Sequence, residues 1–177
     1  MKIYSGKGDN GKTSIIAGEK VLKDSTVIET IGNIDELNAM IGLNMSICNH
    51  HEIRNILSTV QTSLFNIGSE IASHKVQQND NIIKVSHKEI QTLENQIDTI
   101  NSRMPELKEF IYFDSSFLAC NLNVARTICR KAERVMTRFL AKNKMETYML
   151  VYLNRLSDLL FVLARYANML EDDHQNI

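Results

Sequence analysis

Arg126, Arg130, Arg134 and Arg138 recur at every fourth residue, so on an α-helix they form one slowly drifting row of guanidinium groups. Like charges at this spacing cost about 0.2–0.5 kcal/mol per pair, and a helix that accumulates them needs an anionic partner. Two kinds of partner fit. Carboxylates on neighbouring helices, Asp35 or Asp158 among them, can pair with some of the arginines; alternatively, the row can grip a polyphosphate with planar forks of donors. The spacing alone favours the first. Asn154 and Asp158, four residues apart in an otherwise apolar segment, share a face and pose the same question. They belong either to a salt-bridge network between helices or to the lining of a cleft that faces an anion.

A second candidate lies near the N-terminus. Gly6-Lys7-Gly8-Asp9-Asn10-Gly11-Lys12-Thr13 fits the phosphate-loop expression G-x-x-x-x-G-K-[ST] residue for residue. A true loop of that kind follows a buried strand and opens a helix in an α/β sheet, whereas only Met1 to Ser5 precede this one and no parallel sheet is legible downstream. The segment reads as part of a Gly-rich arm, residues 1–31. Its backbone amides and Lys7 or Lys12 can cradle phosphate without that fold, unless the match is chance in a loose terminus.

The elements that must position these residues are helices. One proline, seven glycines and no tryptophan in 177 residues point to a mostly helical chain. A first helix is expected from Asn33, with Glu36 in capping-box position and Ile34, Leu37, Ile41 and Met45 as its buried stripe. A second is expected from Glu52 to Ser73, and a third opens on a Ser86/Glu89 capping box and ends near Pro105. The arginine helix spans about Ser116 to Lys142, and the last runs from Glu146 to about Leu170, before a polar tail. The expected architecture is all-α: a single-domain antiparallel five-helix bundle, ferritin-like in outline, with the arm at 1–31, the bundle at 32–172 and the tail at 173–177.

Bulk properties exclude several classes. With 20 basic and 21 acidic residues the net charge is −1, so no general field draws nucleic acid or an anionic membrane, and an anion site must be local. No apolar run reaches the length of a membrane span. Cys48, Cys120 and Cys129 show no metal-ligand spacing and read as free thiols of a reducing, cytoplasmic compartment. His50, His51, His74, His87 and His174 lie outside the polar blocks and read as surface residues.

Val124-Ala125-Arg126-Thr127-Ile128-Cys129-Arg130-Lys131-Ala132-Glu133-Arg134, together with Tyr152-Leu153-Asn154-Arg155-Leu156-Ser157-Asp158, closely resembles the ATP:cob(I)alamin adenosyltransferases of the PduO type. The resemblance extends to Lys2-Ile3-Tyr4, to Lys7 through Thr13 and to Gly32-Asn33-Ile34-Asp35-Glu36-Leu37-Asn38, while residues 45–105 match only as a helical pattern. It implies an arm that wraps the ATP phosphates, through Tyr4, Ser5, Lys7, Gly8, Asp9, Gly11, Lys12 and Thr13. It implies that Arg130 contacts the polyphosphate with Glu133 and Arg134 beside it, that Asn154 binds the nucleotide, and that Asp35 pairs with Arg126 across a subunit interface. Phe110 takes the place of the aromatic residue that lies against the corrin ring. The implied assembly is a homotrimer with a site at each interface. Mg²⁺ would accompany ATP, and a reductase or a cobalamin-dependent acceptor enzyme would be a further partner. Tyr112 to Ser115 stand where the family usually has Pro-Gly-Gly, Asn123 replaces a common histidine, and Gly6 replaces a lysine; none of these is a polyphosphate residue.

The implied reaction moves the 5′-deoxyadenosyl group of ATP to the Co(I) of cob(I)alamin and releases triphosphate. It needs no general base, because the nucleophile carries no proton. A P-loop NTPase lacks its strands in this sequence, and a di-metal bundle lacks paired Glu-x-x-His motifs, only Glu171-Asp172-Asp173-His174 being present. A purely structural bundle and an ATP-binding paralogue without corrinoid activity are the remaining alternatives.

Overall fold

The computed structural model describes residues 2–16, 18–75, 83–107 and 116–175, with side chains to Glu171. Among them are β1 (Lys12–Ser14), β2 (Lys20–Leu22), α1 (Thr26–Ile47), α2 (His51–Ala72), α3 (His87–Asn101), α4 (Phe117–Asn143) and α5 (Tyr148–Gln175). The five helices form the expected bundle. α4 is its spine, packed on α5 and on α1; α2 lies against α1, and α3 against α5.

Side-chain size explains the spine. Ala125, Cys129 and Ala132 are fully buried on one side of α4, and small residues there let α5 approach closely enough for the Cys129 thiol to donate to the Leu153 carbonyl at 3.2 Å. Larger residues, among them Leu37, Ile41, Leu57, Leu64, Leu122, Phe139 and Leu160, fill the remaining core, each contributing about 1.5–3 kcal/mol by leaving water. Asn44 is fully buried on α1 and donates to the Met40 carbonyl at 2.9 Å and to the Asn121 carbonyl at 3.4 Å. This polar bond ties α1 to α4 at one register.

Helix ends follow local chemistry in two places and escape it in two others. Ser86 and Glu89 form the capping box of α3, the Glu89 carboxylate accepting from Ser86 N at 2.8 Å. Lys144 ends α4 in the left-handed region at φ 52°, where a side chain costs conformational energy. The first helix, however, starts at Thr26 and not at Asn33. Asn33 lies inside it and donates to the Glu29 carbonyl at 2.8 Å, so the expected capping box there does not form. Thr26, Val27, Ile28, Thr30 and Ile31 are β-branched and poor helix formers, but Val27 and Thr30 are buried and the Thr30 hydroxyl donates to the Thr26 carbonyl. At the other end α5 runs through Gln175, past the expected stop near Leu170.

The arm is more ordered than a loop. β1 and β2 pair antiparallel, with Thr13 opposite Val21. Gly11, at φ 76°, precedes β1, and its carbonyl accepts from Lys23 N at 2.9 Å. This closes the hairpin's open end directly ahead of α1.

Candidate active site

Arg126, Arg130 and Arg134 project from the side of α4 away from its buried alanines, and their neutralisation differs residue by residue. Arg126 is half-buried and its Nε donates to Asn123 Oδ1 at 3.2 Å. The Asn123 amide is itself held by the Ala119 carbonyl at 3.2 Å. Arg134 donates back to the Arg130 carbonyl at 3.0 Å, and Arg138 pairs with Glu29 at 3.1 Å. The exposed Arg130 guanidinium makes no hydrogen bond or ion pair with a described residue.

The structural explanation of the row therefore accounts for its end and not its middle. Asp35 and Asp158, the carboxylates expected to neutralise it, form no ion pair among the described residues; Glu29 and Glu36 take Arg138 and Lys131 instead. Asp35 is exposed at the rim of an apolar recess of about 190 Å³ between α1 and α2, lined by Ile16, Ile34, Leu64 and Phe65.

Glu133 and Asn154 meet across α4 and α5, the Asn154 Nδ2 donating to Glu133 Oε1 at 3.1 Å. Next to them, Arg155 donates to Asn154 Oδ1 at 2.8 Å and to Glu94 of α3 at 2.8 Å. Three helices thus converge on one amide. Glu94 was not singled out by sequence reasoning, because a partner on another helix leaves no periodic signal; Arg155 was noted only within the motif that carries Asn154, with no role of its own.

In the arm, Ser5, Lys7, Gly8, Lys12 and Thr13 line a concavity of about 860 Å³. Lys20 and Lys23 also line it, and neither was anticipated; the cue was hairpin pairing, which returns β2 alongside β1. Among the described residues Lys7, Lys12, Lys20 and Lys23 form no ion pair, so the concavity holds concentrated positive charge. A Cβ on Gly8 would stand 3.2 Å from Lys23 Nζ, which marks how closely that lysine crosses the loop. Asp9 caps the turn through its N–H, which donates to the Gly6 carbonyl at 3.3 Å. Tyr4 is exposed, with Lys2 Nζ 5.8 Å from its ring centroid.

Thiols and histidines stand outside this chemistry. Burial pushes the Cys129 thiol far above its ordinary range, with Glu133 adding to the shift and Arg130 opposing it. His74 is a correction to the surface reading: it is half-buried, edge-on to Phe139 at 5.2 Å, with Nδ1 2.9 Å from the Ile71 carbonyl at the end of α2. Phe110 and Tyr112 to Ser115 lie outside the described residues.

The sequence pattern of the family described as cobalamin adenosyltransferase matches residues 3–167. This chain belongs to the cobalamin adenosyltransferase family. It is 36% identical, over 99% of its length, to the corrinoid adenosyltransferase PduO of Citrobacter freundii, of which it covers 52%. It is 36% identical, over 95% of its length, to the corrinoid adenosyltransferase of Bacillus subtilis, of which it covers 87%. The chain thus spans about half the length of the Citrobacter relative. Among solved structures, a variant of the PduO-type ATP:corrinoid adenosyltransferase of Lactobacillus reuteri, complexed with cobalamin and ATP, matches with a TM-score of 0.89 at 34% identity. That match covers 97% of this chain and 96% of the other. The adenosyltransferase fold therefore accounts for all five helices and for the arm.

Proposed function

We propose that this chain transfers the 5′-deoxyadenosyl group of ATP to the Co(I) of a reduced corrinoid, forming adenosylcobalamin and releasing triphosphate. The observation that carries the proposal is Arg130, a guanidinium left without a partner among the described residues, in a family with a member solved holding both ATP and cobalamin. As Co(I) attacks C5′, its electron pair forms the Co–C bond while the C5′–O bond breaks and its pair leaves with the triphosphate. Charge builds on the leaving group, and the groups needed are preorganised cations aimed at it.

Arg130 supplies one of these. The arm supplies others from Lys7 and Lys12, with the backbone N–H of Gly8, while the N–H groups of Asp9 and Gly11 hold the turn by donating to the Gly6 and Gly8 carbonyls, and Ser5 and Thr13 contribute hydroxyls. Tyr4 closes the outer side. Glu133, Arg134 and Asn154 complete the nucleotide side, Glu133 and Asn154 orienting each other. No side chain has to move a proton.

Mg²⁺ would come with the nucleotide, as it does with substrate phosphates that share its coordination with few protein carboxylates. When bound, it neutralises triphosphate charge. Phe110 is the apolar wedge proposed for the corrin face, where excluding water and a lower ligand favours Co(I).

The active assembly is a homotrimer in which Asp35 of one subunit pairs with Arg126 of the next. Exposed Asp35, without an ion pair among the described residues of its own chain, supports that reading. No helix of the described residues is long and apolar enough to cross a membrane, and Cys48, Cys120 and Cys129 form no disulfide, which supports placement in a reducing cytoplasm. A reductase supplies the electron, and a cobalamin-dependent enzyme receives the product. Anaerobic incubation with Mg-ATP and cob(I)alamin tests the reading: adenosylcobalamin and triphosphate in equal amounts are expected, and ATP binding without them would overturn it.

A further inference from the structure

We infer that Glu94, on α3 and remote in sequence from every residue assigned above, is a positioning residue for the nucleotide site, acting through Arg155 on the Asn154 amide. The inference rests on the proposed nucleotide role of Asn154. Its basis is a relay of three hydrogen bonds. Glu94 Oε1 accepts from Arg155 Nε at 2.8 Å, Arg155 Nη1 donates to Asn154 Oδ1 at 2.8 Å, and Asn154 Nδ2 donates to Glu133 Oε1 at 3.1 Å.

Donor and acceptor chemistry makes the relay directional. Guanidinium N–H groups only donate and a carboxylate only accepts. Arg155 therefore fixes which end of the amide is oxygen, and Glu133 fixes which end is nitrogen. The two constraints agree, so the amide has one orientation and not two. One Nδ2–H and one Oδ1 lone pair are left for a ligand, in a set direction.

Arg155 can do this only if it is itself held. Its planar fork has Nε and Nη1 on fixed bearings, and the Glu94 bond to Nε sets the rotation of the guanidinium about its stem, hence where Nη1 points. Without Glu94 a long side chain regains its rotamers. The Glu94 and Arg155 side chains are 43% and 37% exposed. An ion pair in that setting contributes little to global stability, so orientation is the effect to look for.

The test is the affinity of the intact protein for Mg-ATP by titration calorimetry, with KM for ATP and for the corrinoid measured in parallel. Glu94→Ala is expected to weaken ATP binding about five- to twentyfold and to leave the corrinoid KM and the melting temperature unchanged. Glu94→Gln, which keeps an acceptor for Nε–H, should restore affinity to within about threefold of the starting protein. In an Asn154→Ala background, Glu94→Ala should add less than a twofold loss, because the group it acts on is gone. Glu52→Ala cuts a comparable exposed ion pair, Glu52 to Arg103 at 2.9 Å, and should not change ATP affinity. Unchanged affinity in Glu94→Ala, or an undiminished loss in the Asn154→Ala background, overturns the inference. A protein that binds ATP but makes no adenosylcobalamin would overturn the proposed reaction, while the calorimetric series would still decide the role of Glu94.

Discussion

Arg130 and Arg126 sit one turn apart on α4, yet their surroundings give them different work. Arg126 is fastened to Asn123, whereas the Arg130 guanidinium is held by no described residue. Removing a preorganised donor aimed at developing charge costs about 10²–10³ in kcat, and Arg130→Ala is expected to fall in that range. Steady-state turnover with saturating corrinoid checks it, and a loss under tenfold would remove Arg130 from the triphosphate.

Glu70 provides a prediction of a different kind. Burial raises its pKa, against opposing help from Lys84 and the Val85 N–H, with Glu146 adding to the rise; its Oε2 is buried without a partner. A carboxyl raised in the folded state contributes stability that is present below its unfolded pKa, about 4.3, and is lost as pH rises through the folded value. Glu70→Gln should therefore be the more stable protein at pH 7, with the gain shrinking toward pH 4. Thermal unfolding across that range gives the answer, and a gain independent of pH would mean that ionisation is not its source.

At this scale the sequence was informative about residue type but not about partnership. The arginine row and the Asn154/Asp158 pair were visible from spacing. That Asp158 pairs with nothing described and that Glu29 takes Arg138 depend on helix packing angles, to which a periodic pattern is blind; the Asn123 to Arg126 bond lies within α4 at a three-residue step and was open to a reading of spacing.

Among the elements, helix interiors were legible and their ends were not. Apolar steps of three and four residues placed α2 and α4 to within a residue, and the Ser86/Glu89 box marked the start of α3, which however ends at Asn101, short of the expected end near Pro105. The early start of α1 escaped because five β-branched residues of poor helix propensity are held helical by the burial of Val27 and Thr30. Tertiary contact decides such a segment.

The hairpin escaped for another reason. Its strands have three residues each, too short for alternation to be read, and Lys20 and Lys23 enter the concavity only once it forms. Two backbone predictions follow from these ends. Lys144, at φ 52°, should prefer glycine, and Lys144→Gly is expected to raise stability by about 0.5–1 kcal/mol by denaturant unfolding. A Cβ on Gly11 would meet nothing within 4 Å, yet φ is 76°. Gly11→Ala should therefore strain the arm without a clash, by roughly 1 kcal/mol, and weaken ATP binding more than it lowers the melting temperature. Equal affinity in the variant would show that the arm does not need this turn.

On the scale of the whole molecule, the proposed trimer implies that one chain carries pieces of a site that it does not close alone. The arm concavity, Arg130 without an ion pair among the described residues, and the exposed Asp35 are spread over the arm, α4 and α1. The proposed trimer unites them by setting Asp35 of one subunit on Arg126 of its neighbour. Mixing is the corresponding test: Asp35→Ala and Arg130→Ala proteins, each impaired alone, should regain part of the activity when refolded together. Additive activity of the mixture would mean that each site draws on one chain.

The central claim is the reaction, and its most direct measurement is anaerobic. The purified chain is given Mg-ATP, cobalamin and a strong reductant, while the Co(I) absorbance is followed and the phosphate product is analysed. Loss of the Co(I) signal with one triphosphate released per adenosylcobalamin formed is the predicted result. ATP bound with the Co(I) signal unchanged, or ADP and phosphate in place of triphosphate, would contradict it.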